Sequence, residues 1–314
     1  STTATANISQ KAHAPRLCNG HRELCGRKFS NVSMVVAHNS PFVVMHNAAS
    51  NQQLPVLAQL NDGIRGLQFQ THLSNYNTSL HLCHTSCSLL DAGPLLTYLT
   101  TVTHWLSTHP NEVLAIMIGN GDRVSPSTYI RPFAASGMLP YIYTPPPHTN
   151  QSLSTWPTLN EMITRNKRVV VMLDYAANQT AVPWLLDEFA YQWQTPFSPT
   201  NSSFPCTQHR PPHQAEQVSK DRMYLLNHNL NIPLNLFNKH ILMPALTLLD
   251  DINAANSSLN ISLAANVERC TRGWGRPPNW LLVDFYNRGD FEGSVFEVAA
   301  RANGVRYVRG RCCG

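Results

Sequence analysis

The stretch Val32-Ser33-Met34-Val35-Val36-Ala37-His38-Asn39 is a short apolar, β-branched run that ends abruptly in two polar residues. Such runs mark strands buried on both faces, as parallel sheets require. Six more share the pattern, at 64–69, 80–83, 113–118, 168–173, 223–226 and 280–285. Between them lie segments with apolar residues at helical spacing. The clearest is 89–108, with Leu90, Leu95, Leu96, Leu99, Val102, Trp105 and Leu106, and another covers 183–193. Strands alternating with helices imply parallel crossovers, and seven or eight strands in one unbroken series imply closure. The expected architecture is therefore α/β: a single TIM-like (β/α) barrel over residues 1–314, irregular in places, with 1–30 as a disulfide-stapled N-terminal extension.

Polar residues gather at one end of these runs. His38 and Asn39 follow the first, Gln68 and Gln70 close the second, and His84 closes the third. Asn120 and Asp122, then Asp174 and Tyr175, then Asn227 and His228 follow later runs, and Asp284 sits near the end of the last. In a parallel barrel the C-terminal strand ends meet at one face, where sites are built. Two imidazoles facing each other there suit general acid-base chemistry, because an unperturbed histidine titrates near neutrality. On a phosphodiester, one histidine takes a proton from an attacking hydroxyl and the other gives one to the departing alcohol. Asp284 is the natural carboxylate to orient one of them, and Tyr175 is placed to stack on a sugar ring. Ser40 and Ser86 adjoin residues near this face but lie in no Gly-X-Ser-X-Gly elbow, so they read as turn caps. His81 and His84, three apart on a strand, point to opposite faces, which argues against a zinc pair.

Only 13% of the 314 residues are charged, against 43% hydrophobic, so the chain can fill a large core but needs other means of surface hydration. The acceptor pattern Asn-X-Ser/Thr at Asn7, Asn31, Asn77, Asn150, Asn178, Asn201, Asn256 and Asn260 offers glycans for that purpose. Eight cysteines fit disulfides in an oxidising compartment, pairing Cys18 with Cys25, Cys83 with Cys87 and Cys206 with Cys270 and leaving Cys312 and Cys313 unassigned. The chain opens at Ser1 without a start methionine or an apolar leader, as expected of a mature, secreted glycoprotein. A net charge of +5 is scattered rather than striped, which excludes a nucleic-acid partner, and no run is long enough to span a membrane. A monomer is expected.

The order and spacing of several short strings carry a resemblance. They are Val35-Val36-Ala37-His38-Asn39-Ser40-Pro41-Phe42, Asp62-Gly63-Ile64-Arg65-Gly66-Leu67-Gln68, Leu82-Cys83-His84-Thr85-Ser86-Cys87, Leu89-Leu90-Asp91-Ala92-Gly93-Pro94, Asn111-Glu112-Val113 and Gly275-Arg276-Pro277-Pro278-Asn279-Trp280, the last running into Leu281-Leu282-Val283-Asp284-Phe285-Tyr286. Together they resemble the X-domain-like phosphodiesterases, similar to bacterial phosphatidylinositol-specific phospholipase C and most of all to its secreted fungal relatives. The resemblance implies a TIM-like barrel in which His38 is the general base, His84 the general acid and Asp284 the residue orienting His38. It also implies a phospholipid or glycolipid head group as partner, with peripheral membrane contact, and the strand-end positions make Asn39, Gln68, Gln70, Asn120, Asp122, Asp174, Tyr175 and His228 the residues expected to hold it.

The chain departs from both branches of that family. Calcium-independent members follow the first histidine with Asp and place Arg on strand two; calcium users follow it with Asn and place two carboxylates on strand two. Here Asn39 follows His38, yet strand two offers Gln68 and Gln70. Calcium favours several carboxylates among its ligands, so no metal or other cofactor is expected. The alternative is a weak divalent site, calcium for example, at Asp122 or Asp174. Phosphate charge then falls to the neutral donors Asn39, Gln68 and Gln70, because alternation turns Arg65 to the opposite face. The expected activity is that of a phosphoric diester hydrolase or lyase on a phosphatidylinositol- or glycosyl-phosphatidylinositol-like diester, through a cyclic phosphate. The rivals are a catalytically silent barrel that binds glycans or phosphorylated head groups, and a metal-dependent glycerophosphodiesterase or sphingomyelinase-like enzyme.

Overall fold

The computed structural model describes residues 16–44, 47, 49–74, 79–146, 151–236 and 239–308. Its strands are β1 (Met34–Ala37), β2 (Gly66–Leu73), β3 (Leu80–Cys83), β4 (Asp91–Pro94), β5 (Leu114–Asn120), β6 (Val169–Leu173), β7 (Leu185–Asp187), β8 (Gln192–Gln194), β9 (Met223–Asn227), β10 (Asn231–Leu236), β11 (Lys239–Pro244) and β12 (Trp280–Val283). Eight of them form one parallel sheet in the order β7-β6-β5-β2-β1-β12-β9-β8. The sheet curls into a barrel with a seam, because β7 and β8 are not paired with each other and the one-turn helix Glu188–Tyr191 joins them.

Alternation along the strands builds two apolar layers. Val35, Ala37, Leu67, Phe69, Ile116, Ile118, Leu281 and Val283 face outward, onto helices such as Leu95–Thr108. Their neighbours Val36, Ala115, Met117, Met172, Leu225 and Leu282 fill the interior, which Phe29, Trp156 and the N-terminal segment share. Both sets are buried, so the strands read as unbroken apolar runs. Gly66 lies opposite Val36, and a Cβ there would come within 2.5 Å of the valine side chain, so close pairing of β1 with β2 needs glycine.

Two expectations are corrected. The run 80–83 is a strand but not a barrel stave: β3 runs antiparallel to β2 and pairs on its other side with β4. The six residues between β2 and β3 are too few for a parallel crossover, which needs a dozen or more. The run 183–193 is not one helix but β7, a single turn and β8, and Leu95–Thr108 starts only after Pro94. The disulfides Cys18–Cys25, Cys83–Cys87 and Cys206–Cys270 form the pairs the spacing suggested. Cys312 and Cys313 lie outside the described residues, as do Asn7, Asn77 and Asn150. The other five acceptor asparagines are all exposed.

Candidate active site

Parallel register sets the first half of the site. Ala37 pairs with Val283, so the next residues, His38 and Asp284, emerge side by side at the C-terminal ends of β1 and β12. The His38 Nδ1 lies 2.7 Å from Asp284 Oδ1. Asn51 Nδ2 donates to the same carboxylate oxygen at 2.9 Å, and Asn39 Nδ2 in turn donates to Asn51 Oδ1 at 2.9 Å. Gln52 Nε2 clamps the backbone by donating to both the His38 and Val283 carbonyls. With Nδ1 committed to the carboxylate, Nε2 is the nitrogen left for chemistry.

The second half arrives from the opposite direction. Because β3 runs antiparallel, it returns His84 to the mouth beside β2, where Thr85 N donates to Gln70 Oε1 at 3.1 Å. Among the described residues His84 has no carboxylate partner, and its Nδ1 is buried without a hydrogen bond. Burial, with a smaller contribution from the nearby His38, lowers its pKa to about 4. Unfolded histidine titrates near 6.5, so between pH 6.5 and 4 the unfolded chain binds a proton that the fold refuses at His84. Stability is thus expected to fall as pH drops through that window, by up to about 3 kcal/mol. Melting curves of the native chain and H84A over pH 4–7 check this: the loss should be smaller in H84A.

Between the halves opens a cavity of about 470 Å³, lined by His38, Gln68, Gln70, His72, Asp174, Tyr175, Glu188, Arg210 and Asn227 among others. Gln68 Oε1 accepts from Asn39 N at 2.9 Å, as Gln70 Oε1 does from Thr85 N. Each amide thus has its oxygen occupied by backbone, which fixes its orientation and frees the NH₂ group to donate. Opposite them, Arg210 donates to the Tyr175 hydroxyl at 2.8 Å, Gln194 Oε1 at 3.2 Å and Asp174 Oδ2 at 3.4 Å. Its guanidinium also packs on the rings of Phe197, Phe189 and Tyr175. Glu188 is buried beside it, accepting from Gln192 and Gln194, and burial pushes the carboxyls of both Asp174 and Glu188 above the usual range.

Other residues singled out from the sequence lie elsewhere. Asn39 is fully buried behind His38. Asn120 caps a turn, donating to the Val124 and Tyr175 carbonyls. Asp122 is engaged at the rim by His72 Nδ1 and Leu73 N, both at 2.7 Å. His228, expected at the head group, is fully buried; its ring nitrogens lie 3.0 Å from Asn266 Oδ1 and the Ile252 carbonyl, and Phe204 packs on its face. Arg65 is turned away from the mouth, paired with Glu112 at 2.8 Å.

Asp284, Asp174, Asp122 and Glu188 are each held singly by the partners above, whereas calcium needs several oxygens around one point. Among the described residues, the group of three with metal-ligand spacing is Cys83, Cys87 and Asp91, and its two cysteines are bonded to each other.

The family model described as PI-PLC X 1 matches residues 24–298. The chain belongs to the PI-PLC X family. An uncharacterized secreted protein of Arthroderma benhamiae is 48% identical over 317 positions, spanning 100% of this chain and 70% of that protein. PI-PLC X domain-containing protein 1 of the same fungus is 42% identical over 91% of each chain. Among solved structures, phosphatidylinositol-specific phospholipase C from Listeria monocytogenes superposes with a TM-score of 0.55 at 14% identity, covering 92% of this chain and 98% of its own. A mutant of the Staphylococcus aureus enzyme gives 0.60 at 14%, covering 90% and 95%. These two share the barrel fold. Family and fold support a phospholipase C-like phosphodiesterase, and the three disulfides fit an extracellular protein. On this PI-PLC X barrel, sequence reasoning missed Arg210, Asn51 and Gln52, which lie in loops between the periodic runs, and Glu188, which lies inside the run 183–193.

Proposed function

We propose that the protein is a secreted, metal-independent phospholipase C that cleaves a phosphatidylinositol- or glycosyl-phosphatidylinositol-like diester. The observation that carries this reading is the His38–Asp284 pair in a cavity lined for a polyol, with His84 adjoining the lining residue Thr85 and close enough to His38 to feel its charge. His38 Nε2 takes the proton of a ring hydroxyl next to the phosphate, and that oxygen bonds to phosphorus. The bond from phosphorus to the lipid alcohol breaks, and protonated His84 supplies the proton the alcohol needs. The products are a cyclic phosphate and a diacylglycerol-type alcohol. His84 is neutral in the free protein at pH 7, and a bound phosphate anion favours its charged form. The NH₂ groups of Gln68 and Gln70 are the neutral donors for the phosphate, while Asp174, Glu188 and Arg210 match the hydroxyls of a ring. Turnover of phosphatidylinositol in mixed micelles with excess chelator tests the reading: undiminished activity is expected, and loss restored by a divalent cation would overturn metal independence.

Removing Arg210 takes away the cavity's central donor but leaves the histidines in place. R210A is expected to raise KM at least 10-fold with a smaller effect on kcat, as steady-state kinetics on a soluble head-group diester would measure.

Lipid access is assigned to the β10–β11 hairpin, which pairs only with itself and starts two residues beyond Asn229, whose Nδ2 lies 3.3 Å from His38 Nδ1. Ile232, Leu242, Leu246 and Leu248 are exposed on and beside it, and residues 222–249 contain no Asp or Glu. That combination suits an anionic lipid surface. L242D is expected to lower turnover on vesicles several-fold and leave a soluble diester unaffected; equal loss on both would refute the assignment.

A further inference from the structure

His38 and His84 are held in different ways. The ring of His38 is oriented by Asp284, but among the described residues His84 has no side-chain hydrogen bond: its Nδ1 is unbonded and the adjacent ring is Phe42, 5.2 Å away. Apart from the packing of Phe42, what fixes the His84 imidazole acts through its backbone. That backbone lies inside a covalent ring, because the Cys83–Cys87 disulfide closes over His84, Thr85 and Ser86. We infer that the Cys83–Cys87 disulfide is a positioning element for His84, doing through the main chain what Asp284 does for His38 through a hydrogen bond.

The conformation inside the ring supports this. Thr85 has φ +64°, a left-handed geometry unusual for a β-branched residue. Such strain, of order 1–3 kcal/mol, persists only where the surroundings over-determine it. Three contacts do so with the disulfide: His84 N donates to the Leu90 carbonyl at 3.0 Å, Ser86 N to the His84 carbonyl at 2.6 Å and Thr85 N to Gln70 Oε1. Cys83 is fully buried at the end of β3, so the bond anchors the loop to the sheet rather than to another mobile segment. Without it, Thr85 can relax to a negative φ, and the carbonyl and side chain of His84 rotate with it. Burial and proximity to His38 both depress the His84 pKa, and both are lost as the loop opens.

The inference rests on His84 being the general acid, so its test has one arm that needs activity and one that does not. In C83S/C87S, kcat should fall about 100-fold with KM little changed, the effect of misplacing one catalytic group by about 1 Å. In an H84A background the same pair of substitutions should cost nothing further. The second arm follows the His84 C2–H resonance with pH: its midpoint, far below 6.5 in the native chain, should rise by at least one unit in the double variant. C83A/C87V serves the same comparison should the serine variant not fold. An unchanged His84 midpoint in the folded double variant would overturn the inference. So would an unchanged kcat in an active enzyme. A native chain that turns over no inositol lipid would instead defeat the proposed function, leaving the resonance to decide this point.

Discussion

Replacing His38 or His84 with alanine is expected to lower kcat by about 10⁴-fold while leaving KM within a few-fold of the native value. His38 is the one imidazole at the mouth that lines the cavity with a buried carboxylate behind it. Asp284, only 2% exposed, holds the neutral ring with Nδ1–H toward itself and stabilises the imidazolium after proton transfer. His84 comes from a separate hairpin, so the two groups are not redundant and neither can replace the other. The pair acts as a unit, so H38A/H84A should be scarcely worse than either single variant. The His38 side chain joins the ends of β1 and β12 through Asp284, but backbone pairing and Gln52 hold the same two strands, so circular dichroism should be unchanged. Single-turnover and steady-state assays would check this, and native activity in either variant would contradict the assignment.

The largest stability effect is expected from the Cys206–Cys270 bond. It spans 64 residues, and in the chain-entropy view a loop of that length is worth about 4 kcal/mol, roughly 8 °C in melting temperature. It fastens the long loop after β8 to the helix Leu263–Trp274. Trp274 Nε1 donates to the Cys206 carbonyl at 2.7 Å, and the indole packs on Trp193 at 4.5 Å. Arg210 lies four residues beyond Cys206 on this loop. Substituting both cysteines with alanine should therefore lower the melting temperature and also raise KM in the direction expected of R210A. A melting temperature within 2 °C of native would contradict the entropic account.

Much of this was legible because a parallel barrel imposes strong demands on its strands. Val35, Val36, Leu281 and Leu282 must be apolar on both faces, and the residues that break the run, His38 and Asp284, must then emerge where strand ends converge. Direction was not legible in 80–83, since an apolar run reads the same either way; the brevity of the link from β2 carried that information. Arg210 sits beside prolines in a segment without periodicity, recruited by three aromatic rings that come from three separate stretches of the preceding chain. Glu188 was hidden in a run whose spacing mimicked a helix. His228 was overcalled for the opposite reason: it follows a strand end, but the residues packed over it, Phe204 and Asn266, come from far along the chain.

The most direct test of the account is phosphorus NMR of phosphatidylinositol digested by the native chain in excess chelator, sampled from the earliest turnovers. Attack by the neighbouring ring hydroxyl predicts that a five-membered cyclic phosphate resonance appears first, with any monoester growing only later at its expense, and that neither appears with H38A. A monoester as the first product, or a cyclic phosphate formed equally fast by H38A, would contradict catalysis by the His38–His84 pair.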